Sequence, residues 1–196
     1  MDSPSRAAID DPRVRLALVA AVYLGSFIAT LDVSIVNVAL PTLQRALATD
    51  LAGLQWVIDI YALCLSAFML SAGPLGDRYG RKMLIVFGLV LSLPACLLAA
   101  YAPSDGVLFA ARLLGGISAG MAYPTTLALI TALWSGPART RSIAMWSALG
   151  GGFAMLGPLI SGFLLQYFWW GSVFLVTLPL AAIALSRFGR FPGRLL

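Results

Sequence analysis

The sequence predicts an all-α membrane protein, a bundle of six transmembrane helices. Of its 196 residues 60% are hydrophobic and only 11% charged, with a mean hydropathy of +0.92. A soluble domain of this size cannot hide that much apolar side chain, because surface outgrows core in a small fold. The charges are also clustered: residues 83–104, 113–138 and 142–186 contain none. About 20 apolar residues in a helix cross a hydrocarbon core of ~30 Å, so each run is long enough for one span and the last for two.

The spans are expected at 16–40, 54–75, 83–102, 107–132, 143–166 and 170–187, between tails at 1–15 and 188–196. Short connections carry Gln44, Arg45 and Asp50, then Gly76 to Lys82, Pro103 to Asp105, and Ser135 to Arg141. The last turn holds Tyr167, Phe168, Trp169, Trp170 and Gly171, and such amphipathic rings favour the headgroup layer. Arg6, Arg13, Arg15, Arg78, Arg81, Lys82, Arg139, Arg141, Arg187, Arg190 and Arg194 fall on one side of these spans, and only Arg45 on the other. Cytoplasmic segments carry the positive excess, so both termini are expected in the cytoplasm of a multi-pass cell-membrane protein. The polar first 15 residues, with three acidic side chains, do not read as a secretory signal.

Composition excludes several chemistries. The chain has no His and no Glu, and its two Cys, Cys64 and Cys96, both lie inside apolar runs. Metal centres built on His and Cys, and Ser-His-Asp or Cys-His catalysis, are therefore not expected. The sole lysine, Lys82, precedes Met83, so there is no phosphate-binding loop with its Lys-Ser/Thr pair. No cofactor is implied and no enzyme is expected. The sequence pI of about 9.7 reflects basic residues at helix ends, which set topology rather than bind nucleic acid.

Two short matches hint at an inverted three-plus-three repeat of the kind transporters use. Ala39-Leu40-Pro41-Thr42 in helix 1 parallels Ala122-Tyr123-Pro124-Thr125 in helix 4. Gly73-Pro74-Leu75 in helix 2 parallels Gly157-Pro158-Leu159 in helix 5.

Three ionisable residues fall within spans: Asp32, Asp59 and Arg112. Charge in the bilayer costs about 2.5–3.5 kcal/mol on insertion scales, which makes each a functional candidate. With helix 1 ending at Leu40, Asp32 lies ~12 Å from its outer end, and Asp59 and Arg112 each ~8 Å from theirs, at ~1.5 Å per residue. All three then share the outer third of the bilayer, where an Asp–Arg pair can form across helices. A neighbouring positive charge favours the ionised form of a carboxylate, so a cation that disturbs such a pair can be exchanged against a proton. The bland alternative is that the charges lock helices together, or that Asp59 and Arg112 snorkel to the surface.

Between helices 2 and 3 stands Gly73-Pro74-Leu75-Gly76-Asp77-Arg78-Tyr79-Gly80-Arg81-Lys82. It resembles the signature loop of the major facilitator superfamily, with every key position filled. The resemblance implies a gating network of Gly73, Asp77, Arg78, Gly80, Arg81 and Lys82. Further segments resemble the drug:proton antiporter branch, especially its fourteen-span subfamily. Leu31 to Pro41 is similar to that subfamily's first-helix motif, including acidic Asp32 and Asn37, and Trp56 and Tyr61 also fit. Arg112-Leu113-Leu114-Gly115-Gly116 resembles the motif whose Arg is implicated in proton coupling, with Gly115 where a Gln is usual. Gly157-Pro158 and Gly162 resemble the helix 5 motif of exporters, where small residues before Pro permit a kink; Phe153 and Ser161 depart from it.

The resemblance implies one six-helix bundle, the amino-terminal half of a proton-coupled multidrug efflux permease. Asp32, Arg112, Asn37 and Asp59 would form its coupling and substrate site, and lipophilic cationic solutes, protons and the lipid bilayer would be its partners. Two alternatives stay open: a transport-inactive truncated fragment, and a half-transporter that pairs with itself or with a second chain.

Overall fold

The computed structural model describes residues 12–189, with side chains placed from Val22 to Ser186 except those of Asp77 and Leu133. The expected tails at 1–15 and 188–196 lie largely outside it. Among the described residues the fold is all helical: α1 Pro12–Leu47, α2 Leu51–Tyr79, α3 Arg81–Ala100, α4 Asp105–Leu133, α5 Gly136–Tyr167, α6 Ser172–Leu175 and α7 Thr177–Gly189. Val176 between the last two keeps helical dihedrals (φ −64°, ψ −28°) and donates its N–H to the Ser172 carbonyl. α6 and α7 therefore form one sixth helix with an irregularity near Pro179, whose missing N–H leaves the Leu175 carbonyl without its usual donor.

Five of the six helices are long and apolar enough to cross a membrane, while the sixth is a shorter apolar stretch at Ser172–Ser186. The helices overrun the expected spans, and the connections shrink accordingly. Backbone already satisfied by its own hydrogen bonds has no reason to unwind at the headgroups, so polar residues extend the helices past the apolar core. α1 continues beyond Leu40 through Pro41 to Leu47, and Arg45 Nε donates to the Pro41 carbonyl at 3.2 Å. Asp50 caps α2, its carboxylate accepting the Gly53 N–H at 2.7 Å, and Ser104 caps α4 by accepting from Val107 at 3.5 Å. Arg139 and Arg141 stand in the first turns of α5 rather than in a loop.

The segment expected as a loop at 76–82 is not one. α2 runs to Tyr79 and α3 starts at Arg81, so Gly80 is the whole connection. Its φ of +92° is open to glycine and costly for residues with a Cβ, and its N–H closes on the Gly76 carbonyl at 2.9 Å.

Within the bundle α4 is central, packing most extensively on α2 and α3, while α1 packs chiefly on α5. About half of the α1 and α4 spans is buried, against less than a fifth of α2 and α5. Two apolar cores stand at opposite ends. One gathers Leu31, Ile35, Leu43, Val57, Leu108 and Phe174; the other Val22, Ile85, Leu89, Leu129, Ile130 and Ala181.

Candidate functional site

Arg112 Nη1 donates to Asp32 Oδ2 at 2.7 Å, joining α4 to α1. The guanidinium is buried (4% exposed), and its Nε donates to the Val57 carbonyl of α2 at 3.1 Å. Its central carbon lies 4.0 Å from the centre of the Tyr61 ring, itself 3% exposed. Such a stack is worth ~2 kcal/mol or more once water is removed. Arg112 of α4 is thus held by two neighbouring helices, by a carboxylate of α1 and by a carbonyl and an aromatic face of α2. Each compensates part of the cost of burying its charge.

The helical repeat explains which residues meet. Val57 and Tyr61 are one turn apart on α2 and share the face towards α4. Asp59 stands between them, about 200° round the helix from Val57, and is exposed; no ion pair reaches it among the described residues. The depth argument grouped the three charges at one level, and the angular position on α2 then separates Asp59 from the other two. Asn37 is exposed too, in a groove along α1 and α2 that it shares with Val33 and Leu65. Pro41 has no N–H to offer the Asn37 carbonyl, so that turn lacks its usual helical donor.

Gly115, where the resemblance expects a Gln, leaves room for the Tyr61 ring: a Cβ there would come 3.5 Å from Cε2. Gly116 is more demanding, since a Cβ would come 2.5 Å from the Tyr61 carbonyl oxygen. Gly120 repeats this one turn on, 2.7 Å from the Leu65 carbonyl. Gly116 and Gly120 therefore let α2 press against α4 closely enough for Tyr61 to cover Arg112.

On α5, Gly157 is buried against Ser34 of α1, in contact with its Cβ and hydroxyl, whereas a side chain at Gly162 would meet nothing within 4 Å. The helix continues through Pro158 to Tyr167. Pro158 cannot donate to the Ala154 carbonyl, and the Ser34 hydroxyl does so instead at 2.7 Å. Ser161, a departure from the motif, is buried and donates to the Ile35 carbonyl at 3.1 Å. Phe153, the other departure, stacks on Phe27 with ring centres 4.2 Å apart. Both departures strengthen the α1–α5 seam.

Of the residues around the α2–α3 joint, Arg81 Nη1 donates to the Ala128 carbonyl of α4 at 3.0 Å, and Arg78 lies 5.4 Å from the neighbouring Tyr79 ring. Gly73 is exposed with open space around it. The side chain of Asp77 lies outside the described set. Lys82 is half-buried at the start of α3.

Sequence reasoning missed a second polar cluster. Trp146 Nε1 of α5 donates to Ser26 of α1 and to Thr126 of α4, whose hydroxyls are 3.0 Å apart. The signal was present as hydroxyl residues inside apolar spans, but nothing in one chain says which of them face each other. Among the described residues no group of acidic and Cys side chains is arranged to hold a metal ion.

Residues 22–192 match the family described as the Major Facilitator Superfamily. The chain belongs to that superfamily. Facilitators are membrane transporters, and the six-helix bundle is one half of their fold. The methylenomycin A resistance protein of Bacillus subtilis is 38% identical over 87% of this chain and 38% of its own length. The methyl viologen resistance protein SmvA of Salmonella typhimurium is 38% identical over 91% and 36%. The drug efflux pump JefA of Mycobacterium tuberculosis is 39% identical over 88% and 34%. The chain thus spans little more than a third of the relatives it matches. A crystal structure of the peptide transporter POT in complex with sulfate superposes with a TM-score of 0.78 at 15% identity, covering 87% of this chain and 37% of that one. That likeness speaks for the fold alone.

Proposed function

We propose that this facilitator chain forms one bundle of a proton-coupled multidrug efflux permease, with Asp32 as the coupling carboxylate. The observation that carries the reading is the Asp32–Arg112 ion pair, a buried guanidinium on a half-buried carboxylate in the apolar interior of the bundle. An ion pair in such surroundings is a poor way to gain stability, since desolvation offsets most of the Coulomb attraction. It is well suited to switching. When Asp32 takes up a proton the pair is neutralised on one side, and Arg112 keeps only the Val57 carbonyl and the Tyr61 ring. The resistance proteins and efflux pump among the relatives support drugs as the solute, and the methyl viologen resistance protein supports a cationic one.

The groove beside the pair, lined by Thr30, Ser34, Asn37, Met69 and Tyr123, offers apolar walls with a few polar groups, as a lipophilic cation requires. The excess of Lys and Arg beside one end of the spans supports a topology with both termini and the α2–α3 joint in the cytoplasm. Alternating access needs two bodies moving about a site between them, so transport requires a second bundle, from a second chain or a second copy. The bare faces of α2 and α5, with Leu70 84% and Met155 77% exposed, support such an association. A fragment without transport activity is the alternative.

The test is gradient-driven uptake of a lipophilic cationic dye, the equivalent of cellular efflux, by inverted vesicles that hold the chain with its second bundle. Asp32→Asn is expected to abolish it with membrane insertion intact. Unchanged efflux at equal expression would remove Asp32 from the mechanism. Topology is checked separately by a cysteine replacing Tyr79, with Cys64 and Cys96 removed. It should resist an impermeant thiol reagent in intact cells.

A further inference from the structure

Two hollows meet at the ion pair, and Asp32 belongs to only one of them. The groove along α1 and α2 is lined mainly by exposed and half-buried residues, and Asp32 is not among them. The other hollow lies inside the bundle, between α1, α3, α4 and the sixth helix, and no residue lining it is exposed. Asp32 forms part of its wall. Arg112 and Tyr61 line both this cavity and the outer groove, as the small Ala29 does further along α1, so the guanidinium and the ring are the large groups standing between the two.

The inner cavity is narrow, about 50 Å³ counted as space open to the centres of water molecules. At ~10–15 Å³ per water, it has room for about three to five. It extends along α3 from Leu89 to Ala99, roughly 15 Å at 1.5 Å per residue. Its wall is not purely apolar. Ser92, Ser118 and Thr177 line it, and each hydroxyl proton is committed to a carbonyl, of Leu89 at 2.7 Å, Gly88 at 2.7 Å and Phe174 at 2.8 Å. Their oxygens keep lone pairs that can accept from water. Cys96 completes the wall, 3.2 Å from Thr177 Oγ1, in the same cavity as Asp32 and Arg112. A roomy apolar void stays dry, but a narrow one with acceptors along it and a carboxylate at its side meets the conditions for ordered water.

We propose that this cavity is a water site inside the bundle: a short file of water solvates Asp32 from the α3 side, and the Tyr61 ring, stacked on Arg112, separates that file from the groove. Resting on the antiport reading above, it further follows that proton and solute approach the pair from different sides. The proton comes along the file and the cation along the groove. Tyr61 is then a positioning residue that keeps the two routes apart.

The experiment uses the purified chain in phospholipid nanodiscs with Cys64→Ala, so that Cys96 is the only thiol. Silver ion, small enough to travel through a water file, displaces the thiol proton and forms a silver thiolate. Cys96 is expected to be blocked by silver in the folded protein, read as loss of alkylation after later denaturation. A bulky maleimide applied to the folded protein is expected to leave it unmodified. Ala95→Leu, which fills the cavity from α3, should abolish the silver reaction, and Tyr61→Ala should accelerate it while Tyr61→Phe does not. Radiolytic hydroxyl-radical labelling of the unfilled protein reads the water directly and does not depend on any variant folding; oxidation at Cys96 is expected.

A Cys96 that neither reacts with silver nor is oxidised until the protein unfolds would show a dry cavity and overturn the water site. Equal silver rates in Tyr61→Ala and its parent would overturn the partition. Neither readout involves transport. A dry cavity would leave the efflux reading standing, and failure of the efflux reading would leave the cavity to be judged by these data.

Discussion

The inner face of α4 and the outer face of α5 are written in similar letters and used in opposite ways. α4 carries Gly115, Gly116 and Gly120; α5 carries Gly150, Gly151, Gly152, Gly157 and Gly162. On α4 the glycines are points of closest approach, with the backbone of α2 lying where a Cβ would be at Gly116 and Gly120. On α5 only Gly157 is used that way, against Ser34. Side chains at the other four would meet nothing within 4 Å. A glycine in a transmembrane helix is thus a packing device only where a second helix arrives. The bare stretch of α5 is consistent with a surface awaiting another bundle.

The contrast can be broken most strongly at Arg112, the charge on the packed face of α4. Arg112→Ala leaves the half-buried Asp32 carboxylate with only cavity water as a partner, and losing a charge-assisted hydrogen bond of this kind costs about 1.5–3 kcal/mol. Unfolding of the purified chain, followed by helical signal against a denaturing detergent, should show it. A loss well under ~1 kcal/mol would mean that the pair behaves as a surface ion pair does, screened by more than a few cavity waters.

Next in size is the pairwise glycine test. Gly116→Ala forces α2 away from α4 and should cost about 1–3 kcal/mol. Gly151→Ala, made in the same helical context without a neighbour, should be neutral or stabilising by up to ~1 kcal/mol through helix propensity. If Gly151→Ala destabilised the isolated chain, the outer face of α5 would be packed against something, and the contrast would collapse.

The smallest effect concerns the α1–α5 seam and is the most specific. Ser34→Ala removes the donor that replaces the missing N–H of Pro158, at a cost of ~0.6 kcal/mol, typical of such bonds in membranes. In a Pro158→Ala background residue 158 can donate to the Ala154 carbonyl itself, so the cost of Ser34→Ala should shrink towards zero. A double-mutant cycle measures the difference. Equal costs in both backgrounds would show that Ser34 acts by packing alone.

These cases show how far the sequence could be read. The helices were legible because hydropathy reports directly on what a bilayer tolerates. The same holds for Asp32 and Arg112, since charge in a span is rare and costly. Helix ends were not legible. Pro41 reads as a terminus, yet α1 continues to Leu47, and residues 76–82 read as a loop where Gly80 alone bends the chain. Hydropathy marks where the hydrocarbon ends, whereas a helix ends where its hydrogen bonds do. The Tyr61–Arg112 stack and the Ser34–Ala154 bond were invisible because each joins residues far apart in the chain.

By itself, then, the sequence determined an all-α membrane bundle, the level at which Asp32, Asp59 and Arg112 lie, and the family to which the motifs point. Each of these follows from composition and from position along a helix, which a single strand of letters records. Only the tertiary structure decided that Asp59 turns outward while Arg112 turns in, that Tyr61 covers the guanidinium, and that Asp32 opens onto the inner cavity rather than the groove. Those outcomes depend on the rotation of each helix about its axis against its neighbours. That angle is set by packing between distant segments, with Gly116 and Gly120 allowing the approach.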